Sequence, residues 1–376
     1  MNFDPIDIAK KHIEKLKEYR TKLPPSSIKR ALCDPHSKRL PRYCGLTVHF
    51  ATGGCPYRCS YCYIYDMGYT TEPRPYPLAP EELAFAILSN KNFISGRYGT
   101  LLAVGSVTEP FLYEDLAISY IKELSKLENP IQFSTKKFLT KTTTKILSGI
   151  KAPICPLVTI VTIEYVDVLE PYAPSIDLRL KTIENLKDAG LRVFLFLRPI
   201  IIGINYKEAF KIIDLISEYN IDGVVIGSFR ITQRIYRKLR NLGLNLEKAL
   251  SRVNQKLLSK YKHKQFTVPL TRKEKNALIS YIRRRNLIPF KSACCANSYN
   301  AGVICPSICY ETNFCTQCPN QCSSQEPPGI EKVEKALRIL GLSIKISKRK
   351  RGIYTDKKFV KLVQTLSRRI AMPHKP

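Results

Sequence analysis

The sequence predicts an α/β fold, a partial (β/α)6 barrel. Two observations carry this. Six strand-like apolar runs alternate with helix-like runs between Leu46 and Tyr219 and beyond to Ile226, the order that builds a parallel sheet with helices outside. A short loop with three cysteines follows the first strand directly, and such barrels place chemistry at the carboxyl ends of their strands.

The elements follow in order. Ile6 to Tyr19 has helical spacing, ended by Pro24-Pro25. Leu46 to Thr52 reads as strand one, and Leu83 to Ser89 as a helix begun at Ala79-Pro80-Glu81-Glu82. Leu101 to Val107, Ile131 to Ser134, Leu157 to Ile163, Arg192 to Ile200 and Gly223 to Ile226 read as strands two to six. Between them, Tyr113 to Leu127, Thr143 to Ser148, Ser175 to Ala189 and Lys207 to Tyr219 read as helices. Gly190 stops the third of these. Ile231 to Leu258 reads as a basic helix and Gln265 to Leu270 as a candidate strand. Thr271 to Asn286 reads as a helix with Thr271 and Glu274 as its capping box. The chain then divides into a basic N-terminal appendage (1–45), the barrel (46–230) and a basic helical extension (231–290). A cysteine-rich metal-binding region (291–328) and a small basic α+β tail (329–376) complete it.

Composition narrows the function classes. With 376 residues, 44% of them hydrophobic, the chain can bury a large catalytic core. Thirteen cysteines and a start without signal-peptide character point to a reducing, cytoplasmic setting, where thiols serve metals. The longest apolar run, Val193 to Ile204, is broken by Arg198, Pro199 and Gly203 and is too short for a membrane span. Sixty-one Lys and Arg against 31 Asp and Glu give a net charge of +30. Such charge suits a polyanion partner, or else the Lys-rich surface of a heat-adapted protein.

The chemistry centres on Gly53-Gly54-Cys55-Pro56-Tyr57-Arg58-Cys59-Ser60-Tyr61-Cys62-Tyr63. C-x3-C-x2-C lets one loop give three thiolates to three irons of a cubane [4Fe–4S] cluster, leaving a fourth iron open. The glycines allow close backbone approach, with N–H groups available to cluster sulfides. Zinc is the alternative, but a structural zinc site takes four ligands, usually as two distant pairs. This spacing, with an aromatic before the last cysteine, resembles the radical S-adenosylmethionine (SAM) superfamily. The resemblance implies Cys55, Cys59 and Cys62 as cluster ligands, SAM on the open iron, and Tyr61 beside adenine.

Further motifs sharpen it. Gly105-Ser106-Val107-Thr108-Glu109-Pro110, Ser134-Thr135-Lys136-Lys137, Leu169-Glu170-Pro171 with Arg179, and Arg198-Pro199 to Asn205 occur in that order. Together they resemble the spore photoproduct lyase family of DNA repair photolyase-like radical SAM proteins, over about residues 46 to 230. The resemblance implies that Gly105, Ser106, Thr108 and Glu109 form a SAM-facing turn, with Thr135 and Lys136 near SAM or substrate. Arg198, in an apolar strand, needs an anionic partner, either the SAM carboxylate or a structural acid. Glu170 and Arg179 read as a loop-fixing pair. One departure stands out. The family's type enzyme carries a hydrogen-donating cysteine in the turn after strand two, and Gly105 to Glu109 has none.

A second cluster follows: Cys294, Cys295, Cys305, Cys309, Cys315, Cys318 and Cys322. This density implies a second metal centre, either [4Fe–4S] or zinc. The expected ligands are Cys305, Cys315, Cys318 and Cys322, with Cys294, Cys295 and Cys309 as candidate hydrogen donors. Cys33 and Cys44 read as ordinary buried thiols. The tail carries 14 Lys and Arg against three acids, read as a helix, a hairpin with a basic tip at Lys348 to Gly352, and a last helix. The expectation is a radical SAM enzyme acting on a nucleic-acid base or nucleotide, DNA or RNA, with an electron donor such as ferredoxin or flavodoxin and no membrane insertion. The alternatives are peptide modification using the second centre, and a metal-stabilised nucleic-acid-binding protein without catalysis.

Overall fold

Apolar residues line both faces of the central strands, as a parallel sheet covered by helices requires. On Phe194–Ile200, Phe194 packs inward with Cys155, Leu157, Val225 and Phe290. Its neighbours Leu195 and Leu197 pack outward with Val158, Val224 and Ile226 against the helices. The computed structural model describes residues 3–42, 45–105, 107–305, 314, 318–320, 322, 326–349 and 352–374.

In chain order the strands are β1 (Leu46–Val48), β2 (Ala51–Thr52), β3 (Arg74–Pro75), β4 (Leu102–Val104), β5 (Ile131–Thr135) and β6 (Ile154–Thr159). They continue with β7 (Phe194–Ile200), β8 (Gly223–Ile231), β9 (Phe266–Val268) and β10 (Ile288–Phe290). Last come β11 (Ser347–Arg349), β12 (Gly352–Thr355) and β13 (Ala371–Pro373). The main sheet runs β1-β4-β5-β6-β7-β8-β10, every neighbouring pair parallel. This is the α/β partial barrel expected, with one strand more. β10, only three residues long, lacks the length that marks a strand in sequence. β9 adds antiparallel to β8.

The expected first strand divides. Leu46–Val48 enters the sheet, while Ala51–Thr52 pairs with Arg74–Pro75 and frames the cysteine loop. Ile231 to Leu258 is likewise not one helix but three, Gln233–Asn241, Glu247–Leu250 and Gln255–Lys260, broken where Gly243 takes φ +77° and where Asn254 caps a new start. Pro25 opens a second N-terminal helix, Pro25–Cys33, as proline at a first helical position can. Cys33 at its end is exposed, against the expectation of a buried thiol; Cys44 lies outside the described residues.

The base of the barrel is filled from the cysteine-rich stretch. Helix Ala293–Ala301 packs on the inward residues Cys155, Leu157, Phe194 and Val225. Its Asn297 and Asn300 amides donate to Pro130 O (3.3 Å) and Ile154 O (2.9 Å), at the amino ends of β5 and β6. N-terminal helix Pro5–Lys22 and tail helix Ile330–Ile339 meet in a separate core with Ala9, Val333, Leu337 and Leu362. No helix among the described residues is long and apolar enough to cross a membrane.

Candidate active site

Because the strands are parallel, the loops after β1, β4 and β5 and the far end of β7 share one rim. The cysteine loop leaves β2 through two glycines. Gly54 sits at φ +141°, where a Cβ would lie 1.8 Å from Thr70 O. Only glycine fits, because the returning chain presses on it: Thr70 N donates to Gly53 O (2.5 Å) and Cys55 N to Thr70 O (3.3 Å). The glycines therefore fix the loop against residues 70–72, and at least Cys55 N–H is spent on protein.

Buried thiols stand beside donors and cations. The backbone N–H groups of Tyr57 and Glu109 point at the Cys55 sulfur, and that of Ile64 at the Cys62 sulfur. Burial raises all three thiols above their ordinary range, Cys59 to about 12. The Lys136 ammonium faces Cys59 and Cys62, and Arg234 faces Cys62. Among the described residues no three His, Cys, Asp or Glu side chains converge as ligands of a single ion do. A cubane asks for something else, three thiolates spread around one loop and each on its own iron. The donor set, its N–H groups and its compensating cations fit that group, with Cys55, Cys59 and Cys62 as holders.

Beneath the loop runs a buried polar network. The Tyr61 hydroxyl donates to Glu170 Oε1, and the Arg179 guanidinium to Glu170 Oε2. Arg179 also donates to Pro174 O (2.9 Å) and Thr159 O (3.2 Å). Lys136 Nζ is 3.6 Å from Glu170 and 5.8 Å from the Tyr61 ring centre. Burial alone would raise the Glu170 pKa, but Lys136 and Arg179 hold it below the usual carboxylate range. Burial works against the Lys136 ammonium, and Cys59 and Glu170 outweigh it. Tyr61 is thus anchored inward at the rim, and Glu170 and Arg179 fix the loop as expected.

The turn after β4 supports rather than faces outward. Thr108 Oγ1 donates to Gly54 O (2.6 Å). The buried Glu109 carboxylate accepts from Thr135 Oγ1 (2.6 Å), Phe111 N (3.3 Å) and Lys136 N (3.0 Å). Gly105 N donates to Val48 O (3.3 Å), and Ser106 lies outside the described residues. Arg198 behaves differently. Its side chain crosses Gly227, where a Cβ would lie 2.5 Å from Arg198 Cδ. Among the described residues it makes no hydrogen bond or ion pair.

One group escaped sequence reading. Asp66, four residues after Cys62, accepts from Thr232 Oγ1 (2.9 Å) and from Arg234 Nη2 (2.9 Å) and Nε (3.1 Å). Arg234 Nη2 also donates to Cys62 O (2.7 Å), and Lys238 Nζ to Arg58 O (3.3 Å). Two cations of the basic extension thus clamp the cysteine loop; only their basic run was legible.

The second cysteine group sits elsewhere. Cys294 packs with Leu101 and Cys305 at the amino ends of the strands, away from the rim, and Ser292 Oγ lies 2.9 Å from its sulfur. Cys295 packs beside it and against the base of the barrel. The Cys322 sulfur meets the Cys305 N–H, with Cys318 nearby and Asn320 Nδ2 at 3.2 Å. Cys309 and Cys315 lie outside the described residues.

Residues 50–226 match the model of the radical SAM superfamily. The chain carries a radical SAM domain. It is accordingly a radical SAM enzyme, and the family implies a [4Fe–4S] cluster and SAM. A comparison with curated proteins gives no match. Among solved structures, spore photoproduct lyase complexed with dinucleoside spore photoproduct is similar at 17% identity, over 63% of this chain and 71% of that chain, with a TM-score of 0.48. SuiB of Streptococcus suis bound to precursor peptide SuiA is similar at 15% identity, over 63% and 51% of the two chains, with a TM-score of 0.37. At these levels neither says what the radical SAM domain of this chain acts on.

Proposed function

We propose that the protein cleaves SAM reductively and uses the resulting radical on a base or nucleotide of DNA or RNA. The observation that carries SAM binding is Arg198, a guanidinium inside the barrel with no acid paired to it among the described residues. A half-buried guanidinium with no protein acid beside it can pair with an incoming anion, and the SAM carboxylate is one of the right size. When bound, the cluster supplies one electron that splits SAM into methionine and a 5′-deoxyadenosyl radical, which removes hydrogen from substrate. Cys55, Cys59 and Cys62 hold the cluster, and Lys136 offsets charge beside Cys59 and Cys62. Tyr61, held by Glu170, presents its ring near adenine, and Thr135 and Glu109 order the rim. Ferredoxin or flavodoxin supplies the electron. The charge of +30 supports a nucleic-acid substrate.

The test is anaerobic reconstitution with iron and sulfide, reduction by dithionite, and assay for 5′-deoxyadenosine. Wild type forms it and the Cys55/Cys59/Cys62 triple Ala variant does not. No product from wild type sinks the reading. We also propose a second [4Fe–4S] centre that takes Cys305, Cys318 and Cys322, with Cys315. Its support is that the Cys322 sulfur faces Cys305 and Cys318, with the buried Arg368 guanidinium beside Cys305 and Cys322. About eight irons per chain, falling to about four in the triple variant, support it; about four falling to none overturns it.

A further inference from the structure

We infer that the turn at residues 260–266, together with Arg58 and Tyr172, is the surface that seats a single-stranded nucleic acid beside the cysteine loop. The inference rests on the nucleic-acid reading above and locates its contact face. Residues 231–290 hold 16 Lys and Arg against two Glu. Some of these cations are already paired within the chain: Arg234 with Asp66 and Cys62 O, Arg252 with Glu274, and Arg285 with Asp214. The turn carries cations over aromatic rings, as Arg284 and Arg285 lie over Tyr281, but of the two it is the turn that lies beside Asp66 and the cysteine loop. Lys260 and Lys264 stand 5.5 and 5.0 Å from the centre of the Tyr261 ring, and Lys264 also 5.7 Å from that of Phe266. Tyr261 is 40% exposed. Across the cysteine loop, Arg58 lies 5.3 Å over Tyr172, which is 61% exposed.

Geometry ties both places to the site. His263 Nδ1 is 3.6 Å from Asp66, whose other contacts hold the cysteine loop. Arg230 stands 5.2 Å over Tyr63 and donates to Gln265 Oε1 (3.1 Å). β9 fixes the turn to the end of β8, with Ile231 opposite Phe266. Lys238 links the extension to Arg58 O on the other side. Exposed rings interleaved with cations suit a strand whose bases stack while its phosphates meet lysines. A duplex hides its base faces, so stacking selects a single strand.

Fluorescence anisotropy with a labelled mixed-sequence single-stranded oligonucleotide, and with its duplex, tests this at several salt concentrations. In the Lys260→Glu/Lys262→Glu/Lys264→Glu variant, single-strand affinity should fall more than tenfold, with a shallower salt dependence. Tyr261→Ala should lower single-strand affinity about five- to fiftyfold and leave duplex affinity nearly unchanged. A control, Lys10→Glu/Lys11→Glu/Lys17→Glu on the N-terminal helix, removes the same charge far from the rim and should cost less than threefold. Far-UV circular dichroism and dithionite-driven 5′-deoxyadenosine formation report folding in each variant. If wild type binds and both triple variants lose affinity equally, or if Tyr261→Ala changes nothing, the surface is misplaced while the nucleic-acid reading stands. If wild type forms 5′-deoxyadenosine and binds no oligonucleotide at low salt, the nucleic-acid reading itself falls.

Discussion

Two arginines of the barrel, Arg179 buried and Arg198 half-buried, differ in what they face. Arg179 is fully buried and saturates its contacts with Glu170 and two carbonyls, apart from one nitrogen, Nη2. Replacing Glu170 by Ala strands both Arg179 and Lys136, and should destabilise the fold by about 3–5 kcal/mol in urea unfolding. Arg198 has no such acid among the described residues. Its loss should spare stability and weaken SAM binding about ten- to hundredfold, measured by titration calorimetry on the reconstituted enzyme. Arg198→Lys should recover part of this. An unchanged SAM affinity in Arg198→Ala would assign the guanidinium to another anion. The residue types of this site were legible, since arginine in an apolar strand and glutamate before proline stand out. The pairing of Arg179 with Glu170, nine residues away, was legible too; that Lys136 joins them from another strand was not, because that contact depends on how distant segments meet.

At the level of elements, the cysteine loop is shaped by what presses on it. Gly54 is required by the Thr70 carbonyl 1.8 Å from its would-be Cβ. Gly54→Ala must displace the loop, so iron content and absorbance near the cluster band should drop by more than half. The sheet core, remote from it, should keep its far-UV signal. An alanine variant that loads iron normally would show the loop to be compliant. The strand–helix order and the Thr271–Glu274 capping box read directly from periodicity and cap chemistry, and both are present. β10 and the break of the basic extension into three helices escaped, because three-residue pairing and a left-handed Gly243 leave almost no periodic trace. Asp66 escaped for another reason: its partners Thr232 and Arg234 are 166 and 168 residues away in sequence.

Across the whole molecule, the two chain ends share one core and bind each other through Lys332 and Asp4 at 3.0 Å. Arg368 reaches from the tail to Ile304 O and Tyr98 O and stacks 4.4 Å over Phe3. Buried histidines make this packing sensitive to acid. Burial lowers His12 to about 4 and His49 to about 3, and lowers His36 as well. These groups stay neutral when folded, while the unfolded chain protonates them near 6.5. Stability is therefore full above about pH 7 and falls as pH drops from 6.5, by about 2 kcal/mol each for His12 and His49 at pH 5. Thermal unfolding at pH 7.5 and pH 5 checks this: Tm should fall on acidification, and in His12→Gln it should fall less. A Tm independent of pH over that window would place these rings in a wetter setting.

By itself the sequence determined the barrel, its cysteine loop and the radical SAM assignment. These depend on local signals: apolar periodicity, cap residues, and ligands close together on one loop. Tertiary structure alone decided what surrounds that loop. It made the basic extension a clamp through Asp66, set Cys294 at the base and Arg198 inside the barrel, and brought the Tyr261 turn to the rim. The reason is that burial and pairing of charge depend on which distant segments meet, and no short stretch of sequence encodes the meeting.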